Sequence, residues 1–153
     1  RIDKSRDDSV IFIMVGTNDA TVWADSRQTK IPLEQSKMNV QQLIQIAKNY
    51  SKNVVVIENP SIDEKTANEY RFDKSVLYSE NHVEDLNQIL RDVCVASSTD
   101  LISLPNYDHS LLEDGRHPSQ CGHLKIFEIV KQHILSKRLL GMTFPHDPWA
   151  EVR

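Results

Sequence analysis

Val10-Ile11-Phe12-Ile13-Met14-Val15-Gly16-Thr17-Asn18-Asp19, residues 10–19, is the stretch that decides the fold. Its first six positions are all apolar and rich in β-branched side chains, and the run stops at Gly16. A strand apolar on both faces is buried on both faces, as in the parallel sheets of α/β proteins. Two later segments repeat the theme: Asn53-Val54-Val55-Val56-Ile57-Glu58, closed by Asn59-Pro60, and Asp100-Leu101-Ile102-Ser103-Leu104, closed by Pro105-Asn106. Amphipathic helices are predicted between and after them. The first runs from Leu33 to Tyr50, with Met38, Leu43, Ile46 and Ala47 near helical spacing. The second runs from Ser79 to Ala96, with Val83, Leu86, Ile89, Leu90 and Val93 on one face. The third runs from Ser119 to Lys137, with Ile126, Phe127, Val130 and Ile134. Thr17 to Ile31 and Ser61 to Lys74 read as polar connections, and Gly141 to Arg153 as an extended tail stapled by Trp149.

Strand–helix alternation of this kind builds right-handed βαβ units and a parallel sheet covered on both faces. The expectation is therefore an α/β fold of three α/β/α layers, flavodoxin-like in arrangement. The chain of 153 residues suits one domain, residues 1–153. With three strands only, the Val10–Val15 strand would keep one edge unpaired, and open edges invite association. The expectation is that further N-terminal strands are missing from this chain.

The formal net charge is −4 and no Lys/Arg block stands out, which argues against a nucleic-acid partner or an anionic membrane surface. No apolar run is long enough to span a bilayer. The polar N-terminus shows no signal peptide, so a cytoplasmic location is expected. Cys94 and Cys121 lack C-x-x-C spacing and read as two free buried thiols, with a disulfide as the alternative. His82, His109, His123, His133 and His146 lack metal-ligand spacing, and no His-Glu-x-x-His is present. They read as surface or helix-end residues, and neither metal nor organic cofactor is expected.

Active sites in such folds lie at the carboxyl ends of the strands. Two polar clusters fall there: Gly16-Thr17-Asn18-Asp19 after the first strand, and Asp114-Gly115-Arg116-His117-Pro118 before the last helix. Asp114, three residues before His117, can reach the imidazole and orient it as a general base. Pro118 disfavours helical backbone at His117 and holds it in the loop. Asn18 offers a neutral N–H₂ donor suited to an oxyanion. Gly16 permits a sharp turn, and Asp19 reads as a brace for the loop. Trp23 is as well explained by packing as by a pocket wall. An Asp-x-x-His pair alone is often a surface turn; its pairing with the Gly16–Asp19 cluster, at matching strand ends, gives it weight.

Taken together, Gly16-Thr17-Asn18-Asp19, Asp114-Gly115-Arg116-His117 and the continuation Pro118-Ser119…Gly122-His123 resemble the G-x-N-D and D-x-x-H blocks of the SGNH (Gly-Asp-Ser-Leu) serine esterases. The resemblance covers the chain from about Ser9 to Ile134. Softer matches are similar to the isoamyl-acetate-hydrolysing esterase group: Ile31-Pro32-Leu33-Glu34, Tyr70-Arg71-Phe72, Leu77-Tyr78-Ser79-Glu80 and Asp147-Pro148-Trp149-Ala150-Glu151-Val152, in which Pro148 is a departure. The resemblance implies a carboxylic ester hydrolase acting on small acyl esters. In it Asp114 and His117 would be catalytic, Asn18 an oxyanion donor, and Gly16 and Asp19 supports. A carbohydrate or lipid O-deacetylase is the alternative on the same fold.

The Gly-Asp-Ser nucleophile block of that family is not visible in the chain, nor is its second glycine block. Asp8-Ser9 sits at a strand entry, not an exit, and nothing places Ser110 or Ser119 on a nucleophile turn. Three explanations stand. The chain is a fragment of a longer esterase, or a second polypeptide completes the sheet and supplies the serine, or the chain is a shortened, non-catalytic binding module.

Overall fold

The computed structural model describes residues 9–69, 71–104, 108–137 and 139. Strand β1 is Val10–Ile13, β2 Thr21–Trp23, helix α1 Leu33–Lys48, β3 Asn53–Ile57, α2 Glu64–Glu69, β4 Val76–Tyr78, α3 Glu80–Ser97, β5 Asp100–Ile102 and α4 Gln120–Lys137, with a short 3-10 turn at His109–Leu111. β1, β3 and β5 form a parallel sheet in that order, with Ile13 beside Val56 and Ile57 beside Ile102. β2 and β4 form a separate antiparallel ribbon that pairs Thr21 with Tyr78.

The middle strand organises the three layers. Successive side chains of a strand point to opposite faces. Val54 and Val56 pack with Val40, Ile44 and Ala47 of α1 and with Leu90, Val93 and Cys94 of α3. Val55 and Ile57 pack with Ile102 and Leu104, and with Ile126, Ile129 and Val130 of α4. Helices thus cover both faces, as the unbroken apolar runs require. A smaller cluster of Ala20, Ile62, Ala67, Tyr78, Val83 and Leu86 fills the space beneath the ribbon.

Several expectations need correction. The buried stripe of α1 is Ser36, Val40, Ile44 and Ala47, while Met38, Leu43 and Ile46 are exposed. The i, i+4, i+8, i+11 row meets the sheet; of the expected residues Ala47 lies on it and the other three sit beside it. In α4, Phe127 is half exposed and Ile129 packs instead. The connections at 17–31 and 61–74 carry the ribbon strand β2 and the helix α2. Three-residue strands and a six-residue helix are too short to show a period in sequence. His133 is mostly buried, 3.4 Å from Asp100, and is not a surface residue. The segment 105–107, His146, Tyr70 and the tail with Trp149 lie outside the described residues. Among the described residues, no helix is long and apolar enough to cross a membrane.

Both cysteines are free, but only Cys94 is buried; Cys121 is exposed. Burial pushes the Cys94 thiol up to about 11, so it is unreactive at neutral pH. Ellman's reagent is expected to label one thiol per native chain promptly, and the second only on unfolding. Rapid labelling of two thiols in the native protein would contradict this packing.

Candidate active site

The two polar clusters predicted at the strand ends are held by different devices. After β1 the backbone turns at Gly16, whose φ of +118° is costly for any side chain. The N–H groups of Asp19 and Ala20 donate to the Gly16 carbonyl, and Thr21 donates from its hydroxyl to the Asn18 carbonyl at 2.9 Å. Asp19 accepts from the Ser36 hydroxyl at 2.8 Å and ties the loop to α1.

A second brace was not foreseen. Asn59, just beyond β3, is buried; its side chain accepts from Thr17 at 2.8 Å and donates to the Val15 carbonyl at 3.1 Å. Buried Asn87 of α3 holds Asn59 in turn, accepting from its N–H at 2.9 Å and donating to its carbonyl at 3.0 Å. Buried polar groups need partners, and here each partner also fixes the loop. In sequence Asn59-Pro60 reads only as a turn.

Asp114 and His117 lie in a turn closed by its own backbone. Glu113 donates to the His117 carbonyl at 2.8 Å, and Leu112 bridges Pro118. Asp114 caps the turn from within, accepting from the His117 N–H at 2.9 Å and the Arg116 N–H at 3.2 Å. Its second oxygen lies 2.8 Å from His117 Nδ1. Burial alone would raise the Asp114 carboxyl. The His117 backbone N–H, the His117 ring and the Arg116 backbone N–H outweigh it and bring the carboxyl down to about 2. Asp114 is therefore ionised at neutral pH and can only accept. The proton between them therefore belongs to His117 Nδ1. The imidazole is 62% exposed, open to a reactant.

Gly115 anchors this turn to α2. Its φ is +83°, and a Cβ there would lie 2.5 Å from the Ala67 nitrogen and 2.8 Å from the Asp63 carbonyl. The Asp63 N–H donates to the Gly115 carbonyl at 2.7 Å, and the Asp63 side chain accepts from Thr66 at the start of α2.

The ribbon brings the two clusters together. Tyr78 on β4 donates its hydroxyl to Asn18 Oδ1 at 3.0 Å. Arg116 Nη1 hydrogen-bonds the same hydroxyl, and Arg116 Nε lies 3.4 Å from the Asp114 oxygen that faces His117. Asn18, Tyr78, Arg116, Asp114 and His117 are thus one connected chain. Sequence reading gave no role to Tyr78 or Arg116, although Arg116 lies inside the Asp114–His117 motif.

The serines stand elsewhere. The Ser9 carbonyl accepts from Ser51 at the entry end of β1, away from Asn18. The Ser110 N–H donates to Asp108, and Ser119 accepts from Gly122 at the start of α4. Among the described residues, no serine hydroxyl is bonded to the His117 ring. None of the described residues form a cluster of three or more His, Cys, Asp or Glu able to hold a metal. Trp23 lies in β2 and is 40% exposed, with Lys30 over its ring at 5.8 Å.

No protein-family model matches the chain, and no curated protein matches it either. Solved structures do. A lipase/acylhydrolase from Enterococcus faecalis superimposes with a TM-score of 0.65 at 20% identity, covering 88% of this chain and 64% of its own. A GDSL-like lipase from Bacteroides thetaiotaomicron gives 0.61 at 16%, covering 84% and 62%. An acetylxylan esterase from Geobacillus stearothermophilus gives 0.56 at 15%, covering 86% and 61%. The fold is that of the GDSL-type, or SGNH, hydrolases, and the chain spans just under two thirds of the length of these structures.

Two outcomes follow from this geometry. Gly115→Ala is expected to lose more than about 1 kcal/mol of stability, because the new Cβ meets backbone and the φ is unfavourable; an unchanged melting temperature would place Gly115 differently. The Asp114 carboxyl, below its ordinary 3.8 when folded, contributes stability above about pH 4 that is lost as pH falls towards 2. A ¹³C titration should find its midpoint near 2, and a midpoint near 3.8 would mean that the N–H donors are absent.

Proposed function

We propose that the chain forms the oxyanion and acid–base part of a serine ester hydrolase acting on small acyl esters. The observation that carries the reading is the Asp114–His117 pair, with an exposed imidazole, joined through Arg116 and Tyr78 to the Asn18 amide. His117 would take the proton from a serine as it attacks the ester carbonyl, then return it to the leaving alcohol. Asp114 would hold the tautomer and stabilise the imidazolium, and Asn18 would donate to the developing oxyanion. Gly16 and Asp19 support the Asn18 loop.

In this reading the nucleophilic serine arrives on a further segment or polypeptide that pairs with the open edge of β1. Met14 and Val15, just beyond β1, are 38% and 39% exposed at the end where Asn18 stands. Among the described residues, β1 pairs with β3 only. The isoamyl-acetate-like segments favour a short acyl group and a small alcohol. An O-deacetylase of carbohydrates is the second reading, favoured by the acetylxylan esterases among the similar structures.

His117→Ala in the full-length protein should lower hydrolysis of p-nitrophenyl acetate by on the order of a thousandfold or more, with unchanged circular dichroism. Turnover at the parent rate would remove His117 from this role. Isoamyl acetate and acetylated xylo-oligosaccharides, compared by kcat/KM, separate the two substrate classes.

A further inference from the structure

Resting on that reading, we infer that Tyr78 is a positioning residue: its hydroxyl fixes which way the Asn18 amide points, and Arg116 fixes which way the hydroxyl points. The argument is donor counting. A guanidinium has donors and no acceptor. Arg116 Nη1 therefore donates to the Tyr78 oxygen, which leaves the phenolic hydrogen for Asn18. Tyr78 is 2% exposed, so a hydroxyl hydrogen without an acceptor would be a buried unpaired donor. Asn18 meets it with Oδ1, and its Nδ2 is turned to the opposite side, available to an oxyanion. A reversed amide would set two donors on the phenolic oxygen and take from its hydrogen the acceptor that Asn18 Oδ1 provides.

Tyr78 is itself held from every side. Asn68 of α2 grips its backbone, accepting from the Tyr78 N–H at 2.8 Å and donating to the Tyr78 carbonyl at 2.9 Å. The guanidinium carbons of Arg71 and Arg116 lie 4.6 Å and 4.9 Å from the ring centroid. Antiparallel pairing sets Tyr78 against Thr21, three residues beyond Asn18. These contacts fix where the ring lies, and the hydroxyl alone reaches Asn18. A phenylalanine would fill the same volume between Ala20, Ile62, Ala67, Val83 and Leu86 and lack only the hydroxyl.

Tyr78→Phe tests this with two readouts. In the ¹⁵N-labelled protein, the Asn18 side-chain amide signals should move and broaden as the amide gains a second orientation, while the Asp114–His117 pair keeps its Nδ1 proton. In the hydrolysing full-length protein, kcat should fall about tenfold with KM within twofold, and the loss should vanish when Asn18 is already alanine. A loss of equal size in the Asn18→Ala background, or unmoved Asn18 amide signals, overturns the inference. Arg116→Gln offers a second route: it frees the Tyr78 hydroxyl without removing it, and the Asn18 signals should respond in the same direction. If the protein hydrolyses no ester, the functional reading fails on that ground, and the amide signals alone decide the orientation of Asn18.

Discussion

Burial of β3 on both faces is the constraint from which the rest of the structure follows. Val54 and Val56 demand one helical layer, and Val55 and Ile57 demand another. Only parallel pairing with crossover helices supplies both. That pairing aligns the exits of β1, β3 and β5, so the loops after β1 and β3 emerge side by side. Asn59 can therefore reach across from the end of β3 to Thr17 and Val15. The shape of the candidate oxyanion loop is thus a consequence of sheet packing, transmitted through one buried amide.

The sheet, its two helical layers and the polar clusters at the strand ends were legible in sequence. Runs such as Val54-Val55-Val56-Ile57 and stripes such as Val83-Leu86-Leu90-Val93 are long enough to carry a period. What was not legible was short or non-local. β2 and β4 have three residues each, and Val76-Leu77-Tyr78 shows nothing until Thr21-Val22-Trp23 is laid beside it. The stripe of α1 was misplaced because Met38, Leu43 and Ile46 outweigh Ser36 in any apolar count, although Ser36 is the residue buried, held by Asp19. The residues of the candidate site were found by type and spacing. Its wiring through Tyr78 was not, since Asn18 and Tyr78 are 60 positions apart.

Arg116 sits one residue from the imidazole that would become cationic. Its guanidinium is spread along Asp114 and Tyr78, with Arg71 on the same ring. Asp114 is therefore shared between the Arg116 guanidinium and the His117 imidazole, and the backbone N–H groups of residues 116 and 117 keep it ionised.

The edge of β1 away from β3, unpaired among the described residues, carries a restriction rooted in symmetry. Two copies of one edge joined across a two-fold axis perpendicular to the sheet run antiparallel to each other. β1 is built for the parallel ladder it shares with β3. A symmetric pair of identical chains joined in that way breaks the direction of the sheet at the seam. Across such an axis β1 meets β1 only antiparallel, and a strand that continues the parallel ladder is a stretch of sequence other than β1.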